Sequence, residues 1–493
     1  MRFTKKHLLN ALALLVIISG CKKWEDHTAL SKQDLSLNVL QAVASNSSLT
    51  KFKDYITRSG LDTLLESSKT FTIWAPSDNA LATLDPAIVN DPAKLKAFVL
   101  NHISNQSYFI RNAHTPLRIP MLSGKYNQFT TTKFDDVAIS SADRYVRNGV
   151  LHVIEGIVPV LPNVWEYINR NTATYTQNAF IASLNFTSFD PALATVDSIS
   201  VLTGQPVYRP GTGIVNRNSY NDKVYDLKRE DKQYTYFLIQ NAGFALESDS
   251  LKVYFNTGVT ASTDSLAKWN TVKDLTVEGY YATGSLTGIT LVSRSGVSFT
   301  VNPGLITETR KLSNGIVHVL SQLNVLNLNK IKEIRIEGES PSGFSRTDKA
   351  GNINYRVRQN PVNNQNFSDL YVTATNITGT GVIGFYSYYT LKEMPSMKYN
   401  VYASAVNDFQ TAAVVQNISA NYLAPNAVYT SLAGLAYNVP LNTATGAYNE
   451  VLLGQFTSTL FGTLEMRLIQ ANATSVATNT PSVLDYIRLV PVL

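Results

Sequence analysis

Cysteine is almost missing: Cys21 is the only one in 493 residues. A lone cysteine closes no internal disulfide, and no set of thiolates is available to hold a metal. Histidine is scarce as well. Among His7, His27, His102, His114, His152 and His318 no two stand at the spacing of a ligand pair, so no metal site is expected. Charged residues are only 16% of the chain, below the usual quarter or so. No Gly-x-Ser-x-Gly elbow, Walker loop or His-Glu-x-x-His occurs, so the expectation is no catalytic residue and no cofactor. What is plentiful is tyrosine, asparagine, threonine and serine, a balance suited to secreted β-rich domains rather than a helical cytosolic enzyme. The length allows about three domains, each with its own core.

The N-terminus points to a compartment. Arg2, Lys5 and Lys6 precede a short apolar run from Leu8 to Ile18, too short for a stable span. The run ends in Ile18-Ser19-Gly20-Cys21, which resembles a bacterial lipobox and implies cleavage after residue 20 and lipidation of Cys21. Once acylated, that cysteine leaves the mature chain without a free thiol. Three basic residues leave with the signal, so the formal charge of +6 falls to +3 and nucleic acid is not an expected partner. The following Lys22-Lys23-Trp24-Glu25-Asp26, with no aspartate directly after the cysteine, resembles outer-membrane lipoproteins. Acidic residues at this place are also similar to surface-export signals of Bacteroidetes type. Residues 1–20 are thus expected to be a signal peptide and 21–34 a lipid-anchored tether.

One stretch occurs twice. Asn148-Gly149-Val150-Leu151-His152-Val153-Ile154 returns as Asn314-Gly315-Ile316-Val317-His318-Val319-Leu320, with the histidine at the same place. Each copy combines a turn-forming Asn-Gly with a β-branched run suited to a buried strand. The interval between the copies is the size of a domain, which suggests duplication.

Before the first copy, Leu37, Leu40, Val43, Phe52, Tyr55 and Ile56 recur at helical spacing, and Leu61, Leu64 and Leu65 continue the stripe. Phe71-Thr72-Ile73-Trp74 reads as an alternating strand running into Ala75-Pro76-Ser77-Asp78, where Ser77 or Asp78 would cap a short helix. Asp91-Pro92 opens another helix, which carries Leu95, Phe98, Val99 and His102 on one face. This order resembles the fasciclin (FAS1) domain: residues 71–81 match its first signature box and 148–160 its second. The resemblance covers about 35–160 and implies a compact α+β wedge. In animal fasciclin proteins a tyrosine-histidine near His102 is linked to adhesion; here Asn101 stands in place of the tyrosine. His102, His152 and His318 are read as buried hydrogen-bonding residues.

Domain one is therefore set at 35–162 and a diverged second fasciclin-like domain at 163–327. In the latter, 164–168 and 180–184 are helical fragments and 234–239 stands where the first box's strand does. Ile239-Gln240-Asn241 replaces Pro-Ser-Asp, and 201–223 and 256–270 read as polar insertions or loops. Residues 328–493 change to short alternating strands separated by turns, an all-β antiparallel sandwich or jelly roll. The segments 398–402, 451–456 and the closing Leu484-Asp485-Tyr486-Ile487 resemble jelly-roll accessory modules of secreted bacterial proteins. Adjacent acids such as Asp135-Asp136 are read as solvated, and 348–354 as a turn rather than a calcium loop.

The ligand candidates are Tyr386, Tyr388, Tyr399 and Tyr402, because sugars stack on exposed aromatic faces. Strand geometry sends Tyr386 and Tyr388 to one side and Phe385 and Tyr389 to the other, so at most half the cluster is a platform. The expected function is adhesion or binding at the cell envelope, by a lipid-anchored outer-membrane protein engaging protein or glycan. The alternative is a surface glycan-binding accessory of a polysaccharide-uptake system.

Overall fold

The computed structural model describes residues 33–323, 325, 327–373, 385–411, 414–424, 426–469 and 481–492. The expected signal peptide, Cys21, most of the tether, the turn at 378–381 and the start of the strand expected at 383 lie outside the described residues. Gln33–Asp34, the end of the expected tether, instead pairs in parallel with Tyr145 and Val146 and belongs to the first domain. No helix among the described residues is long and apolar enough to cross a membrane.

In the first domain the strand Phe71–Pro76 lies between Ile103–Ser104 and Gly149–Ile154, and pairs in parallel with the latter. Gly149–Ile154 pairs on its other side with Val137–Val146. Both central strands are buried at every residue rather than alternately. The reason is that both faces of the sheet are covered. On one face Phe52, Ile56, Phe98 and Val99 pack from the helices Thr50–Arg58 and Pro92–Leu100. On the other, Trp74, Phe129, Phe134 and Ile154 form a separate core, with the Trp74 and Phe134 rings stacked at 4.4 Å.

The second domain repeats this plan. Its sheet order, Thr276–Glu278, Tyr234–Ile239, Gly315–Leu320 and Ile306–Leu312, is that of the first, with the central pair again parallel. Helices Val164–Arg170 and Thr176–Ser183 form at the expected fragments. The stretch 256–270 is not a loop: it contains the helix Thr260–Val272, poor in large apolar residues but packed through Thr263, Ala267 and Thr271. The stretch 201–223 is only partly loop. Pro206–Tyr208 pairs with Val196–Ile199, and Ile214–Asn218 with Asn185–Phe189, before the short helix Ser219–Lys223. Val201 and Leu202 stand fully exposed at the tip of this insertion.

The third domain is a sandwich of antiparallel sheets. Four strands run in the order Ile334–Glu337, Tyr486–Val492, Lys398–Ser404 and Val451–Thr457. Five more run Gly343–Phe344, Tyr386–Met394, Gly462–Ile469, Val414–Leu423 and Tyr429–Val439. The inner faces enclose one core that includes Tyr389, Tyr399, Tyr437, Phe456 and Met466. Leu484-Asp485-Tyr486 is the corner where the chain leaves one sheet, through Ser482–Leu484, and enters another. Asp485 holds that corner by bonds with Ser404, and burial lifts its carboxyl to about 6.

Candidate functional site

The repeated Asn-Gly box is a structural lock. Asn148 Oδ1 accepts from the Val39 amide at 2.7 Å, and its Nδ2 donates to the carbonyls of Leu65 and Ser67. Asn314 does the same with the Val164 amide at 2.8 Å and the carbonyls of Leu227 and Arg229. Each asparagine thus ties the domain's first helix and the loop before its central strand to the closing strand. The glycines are needed because the neighbouring backbone is close: a Cβ on Gly149 would lie 1.9 Å from Phe71 O, and one on Gly315 1.9 Å from Tyr234 O. The asparagine's side chain, more than a positive φ at the turn, explains the pair.

The histidines are equally internal. His152 Nε2 donates to Tyr108 O and its Nδ1 accepts from the Asp143 amide, while its ring stacks on Trp74. His318 Nε2 donates to Tyr281 O at 2.8 Å, with Phe237 stacked on its ring. His102 is fully buried, donating from Nδ1 to Phe98 O and accepting at Nε2 from the Val158 amide. Burial lowers the pKa of all three, that of His102 to about 4. All three are closed off from solvent. Pro76 ends the central strand, and Ser77 Oγ accepts from the Ala80 amide. Asp78 does not cap its own segment but the start of helix Thr50–Arg58, accepting from Thr50 and Lys51.

The first two domains are joined by a clamp that sequence reading missed. The Arg118 guanidinium donates to four backbone carbonyls of the second domain, those of Glu230, Asp231, Lys232 and Ser313. Its charge also faces Glu230 and Asp231. Lys125 binds Glu166 at 2.9 Å and Glu230 at 2.7 Å, both across the junction. The adjacent acids Asp135 and Asp136, read as solvated, both hold Lys311 of the second domain. Asp348 is paired with Arg346 within the 3₁₀ turn Thr347–Asn352.

The four candidate tyrosines do not form one site. Tyr386 and Tyr388 lie on the outer face of the five-stranded sheet, with Phe385 and Tyr389 inside, as strand parity requires. Tyr399 and Tyr402 belong to the four-stranded sheet instead. Tyr399 is a core residue, completely buried, stacked on Phe456 and bonded to Pro395 O. Tyr402 is half-buried with Arg488 over its ring at 4.8 Å. Neither therefore presents an open ring face for stacking. What Tyr386 and Tyr388 gain is Arg467, opposite Tyr388 in register. Its guanidinium lies 4.6 Å from the Tyr386 ring and 4.8 Å from the Tyr429 ring, and it pairs with the buried Glu465. Burial and the Glu465 carboxylate raise the Tyr429 phenol to about 12. Arg467 already occupies two ring faces, while the Tyr388 ring packs close to Gly343 on the neighbouring strand.

Residues 47–159 match the family described as Fasciclin domain. Solved structures to which the chain is similar include a FAS1 domain pair from the insect cell adhesion molecule fasciclin I. It is 15% identical, with 58% of this chain and 99% of that chain covered and a TM-score of 0.23. The CBM22-1 xylan-binding domain of Xyn10C from Paenibacillus barcinonensis is 11% identical, over 32% of this chain and 95% of that one, with a TM-score of 0.21. The GH26-CBM35 β-(1,4)-mannanase of Podospora anserina is 12% identical, over 33% of this chain and 28% of that one, with a TM-score of 0.19. No curated protein sequence matches the chain.

Proposed function

We propose that this is a lipid-anchored protein of the outer membrane, of Bacteroidetes type, that displays a fixed pair of fasciclin-like domains for adhesion and performs no catalysis. The observation that carries the reading is the Arg118 clamp. Four carbonyls held by one guanidinium, with four further cation–carboxylate contacts from Lys125 and Lys311, make the two domains a stiff arm rather than beads on a string. A stiff arm presents a surface at low ordering cost when it binds. The lipobox at Cys21 supplies the anchor, and the matched family supplies the adhesive role. The acids that could have served hydrolysis, Asp135 and Asp136, are engaged with Lys311.

A second reading, capture of glycan for uptake, is favoured by the half-buried Tyr388 beside Arg467 on the sandwich's outer face. Both are tested by adhesion of cells producing wild-type, Cys21→Ser, Arg118→Ala or Tyr388→Ala protein to surfaces coated with protein or polysaccharide. Cys21→Ser should lose palmitate labelling and adhesion together, and Arg118→Ala should keep the label but weaken adhesion. Full adhesion by Arg118→Ala removes the stiff-arm reading. Adhesion confined to polysaccharide and lost with Tyr388→Ala moves the function to the sandwich.

A further inference from the structure

A cleft of about 930 Å³ lies between the second domain and the sandwich. That is within the ~300–1,000 Å³ range of small-ligand sites. The junction beneath it is built rather than incidental. Asn256 accepts from the Phe461 amide and donates to Thr459 O, while Ser396 bonds the backbone of Val253 and Tyr254. Phe255 and Phe461 pack ring to ring at 5.6 Å.

One wall is the helix Thr260–Val272 and the residue after it. Ser262, Ser265, Trp269 and Lys273 line the cleft and recur every three or four positions, so they share one helix face. Trp269 is braced edge-on by Tyr220, and the Lys223 ammonium sits 5.7 Å from its ring. Lys273 is half-buried, and among the described residues its ammonium has no hydrogen-bond or ion-pair partner. Its neighbour Lys330 is different: Asp274 and Asn270 O hold it in a fully enclosed ion pair. Of the acids lining the cleft, Glu333 is taken by Arg488, and Glu393 faces Lys273 without pairing with it. Burial lowers the pKa of Lys273, with the Lys330 charge acting the same way and Asp274 and Glu393 pulling against it without an ion-pair contact.

We propose that this cleft binds an acidic oligosaccharide, the sugar's apolar face resting on Trp269 and its carboxylate on Lys273 and Lys223. The lining decides the class. Hydroxyl groups from the exposed Ser262 and Ser265 beside an indole suit a ligand rich in hydroxyls, whereas a fatty acid would need an apolar tunnel. Lys223 and Lys273, neither of them in an ion pair among the described residues, favour an anionic ligand over a neutral one.

The test is calorimetric titration of the whole protein with trigalacturonate, triglucuronate and trimannuronate, against uncharged galactotriose. At least one uronate should bind, weakening as salt is raised, with galactotriose about tenfold or more weaker. Trp269→Ala and Lys273→Gln should each lower uronate affinity by about tenfold or more. Because Trp269→Ala removes a packed ring, Lys273→Gln and the exposed Lys223→Gln serve as variants that leave the core intact. Equal binding of charged and neutral trisaccharides, no binding of any uronate, or full affinity in Lys273→Gln overturns the proposal. Loss of uronate binding in Tyr388→Ala with none in Lys273→Gln places the site on the sandwich face, which also overturns it while leaving the adhesive reading intact.

Discussion

The two fasciclin-like domains keep the same hydrogen bonds with different residues, and where they differ is instructive. The amide of Trp74 donates to His102 O, and that of Phe237 to Leu275 O, so a buried histidine in one domain is a leucine in the other. Thr72 Oγ1 donates to Gln106 O and accepts from the Tyr108 amide; Thr235 does so with Gly279 O and the Tyr281 amide. Asp78 caps Thr50, accepting from its amide and hydroxyl. Asn241 caps Thr176 in the same way, so the role of the missing Pro-Ser-Asp survives in its last residue. The two domains share the positions where backbone groups need a partner. The chemistry of the partner was free to change wherever another group could make the bond.

The glycines are where no such freedom exists. Alanine at 149 or at 315 would drive a Cβ into the carbonyl of the parallel neighbour, which can yield only by shifting a strand buried on both faces. Gly149→Ala and Gly315→Ala should each cost more than about 4 kcal/mol, the range reserved for broken backbone packing. Hydrogen exchange read separately at 71–76 and 234–239 would show it. The comparison breaks if either substitution leaves its own strand protected.

This repeat was legible because a parallel pair of buried strands demands a run of β-branched residues, and Asn-Gly marks its start. The caps at Asp91 and the opening helices were legible for similarly local reasons. The helix Thr260–Val272 was not: its buried positions are Thr263, Ala267, Asn270, Thr271 and Val272, so only its last residue is a large apolar one and no apolar stripe signals it. The cleft was lost with that helix, and its far wall comes from residues such as Pro395 and Phe461, over a hundred positions away. The tyrosines show the same limit. Parity along one strand correctly divided Tyr386 and Tyr388 from Phe385 and Tyr389, but nothing local says that Tyr399 lies on another sheet.

Acid should separate the domains next. His102 is neutral when folded, with its pKa pushed down to about 4 by burial, while the unfolded chain protonates near 6.5. Above pH 6.5 both states are neutral and nothing is at stake. Below it only the unfolded state gains the proton, so stability falls as pH drops from 6.5 to about 4 and levels off beneath. The full loss is about 3 kcal/mol. His152 and His318 are counterparts with pKa values lowered in the same direction, whereas Leu275 has nothing to titrate. Exchange protection at 71–76 should therefore decline further than at 234–239 over this window, and His102→Gln should remove the excess. Parallel decline in both segments, unchanged by that substitution, would contradict the assignment.

The smallest effect is the most discriminating. Asp78 and Asn241 are nearly the same shape and cap equivalent threonines, yet they should not be interchangeable. The second oxygen of Asp78 accepts from the Lys51 amide at 2.8 Å, so an amide nitrogen there would set donor against donor. The Nδ2 of Asn241 donates to Thr174 O at 3.0 Å, so a carboxylate there would set acceptor against acceptor. Asp78→Asn and Asn241→Asp should each cost about 1 kcal/mol, comparable with losing a cap altogether. The Asp78→Asn penalty should shrink slightly in high salt, because the carboxylate's attraction to the helix N-terminus is screened. Urea unfolding of both single variants measures this directly. If both swaps are neutral, the cap is only a shape, and the difference between the two boxes is drift rather than a match to Lys51 in one domain and Thr174 in the other.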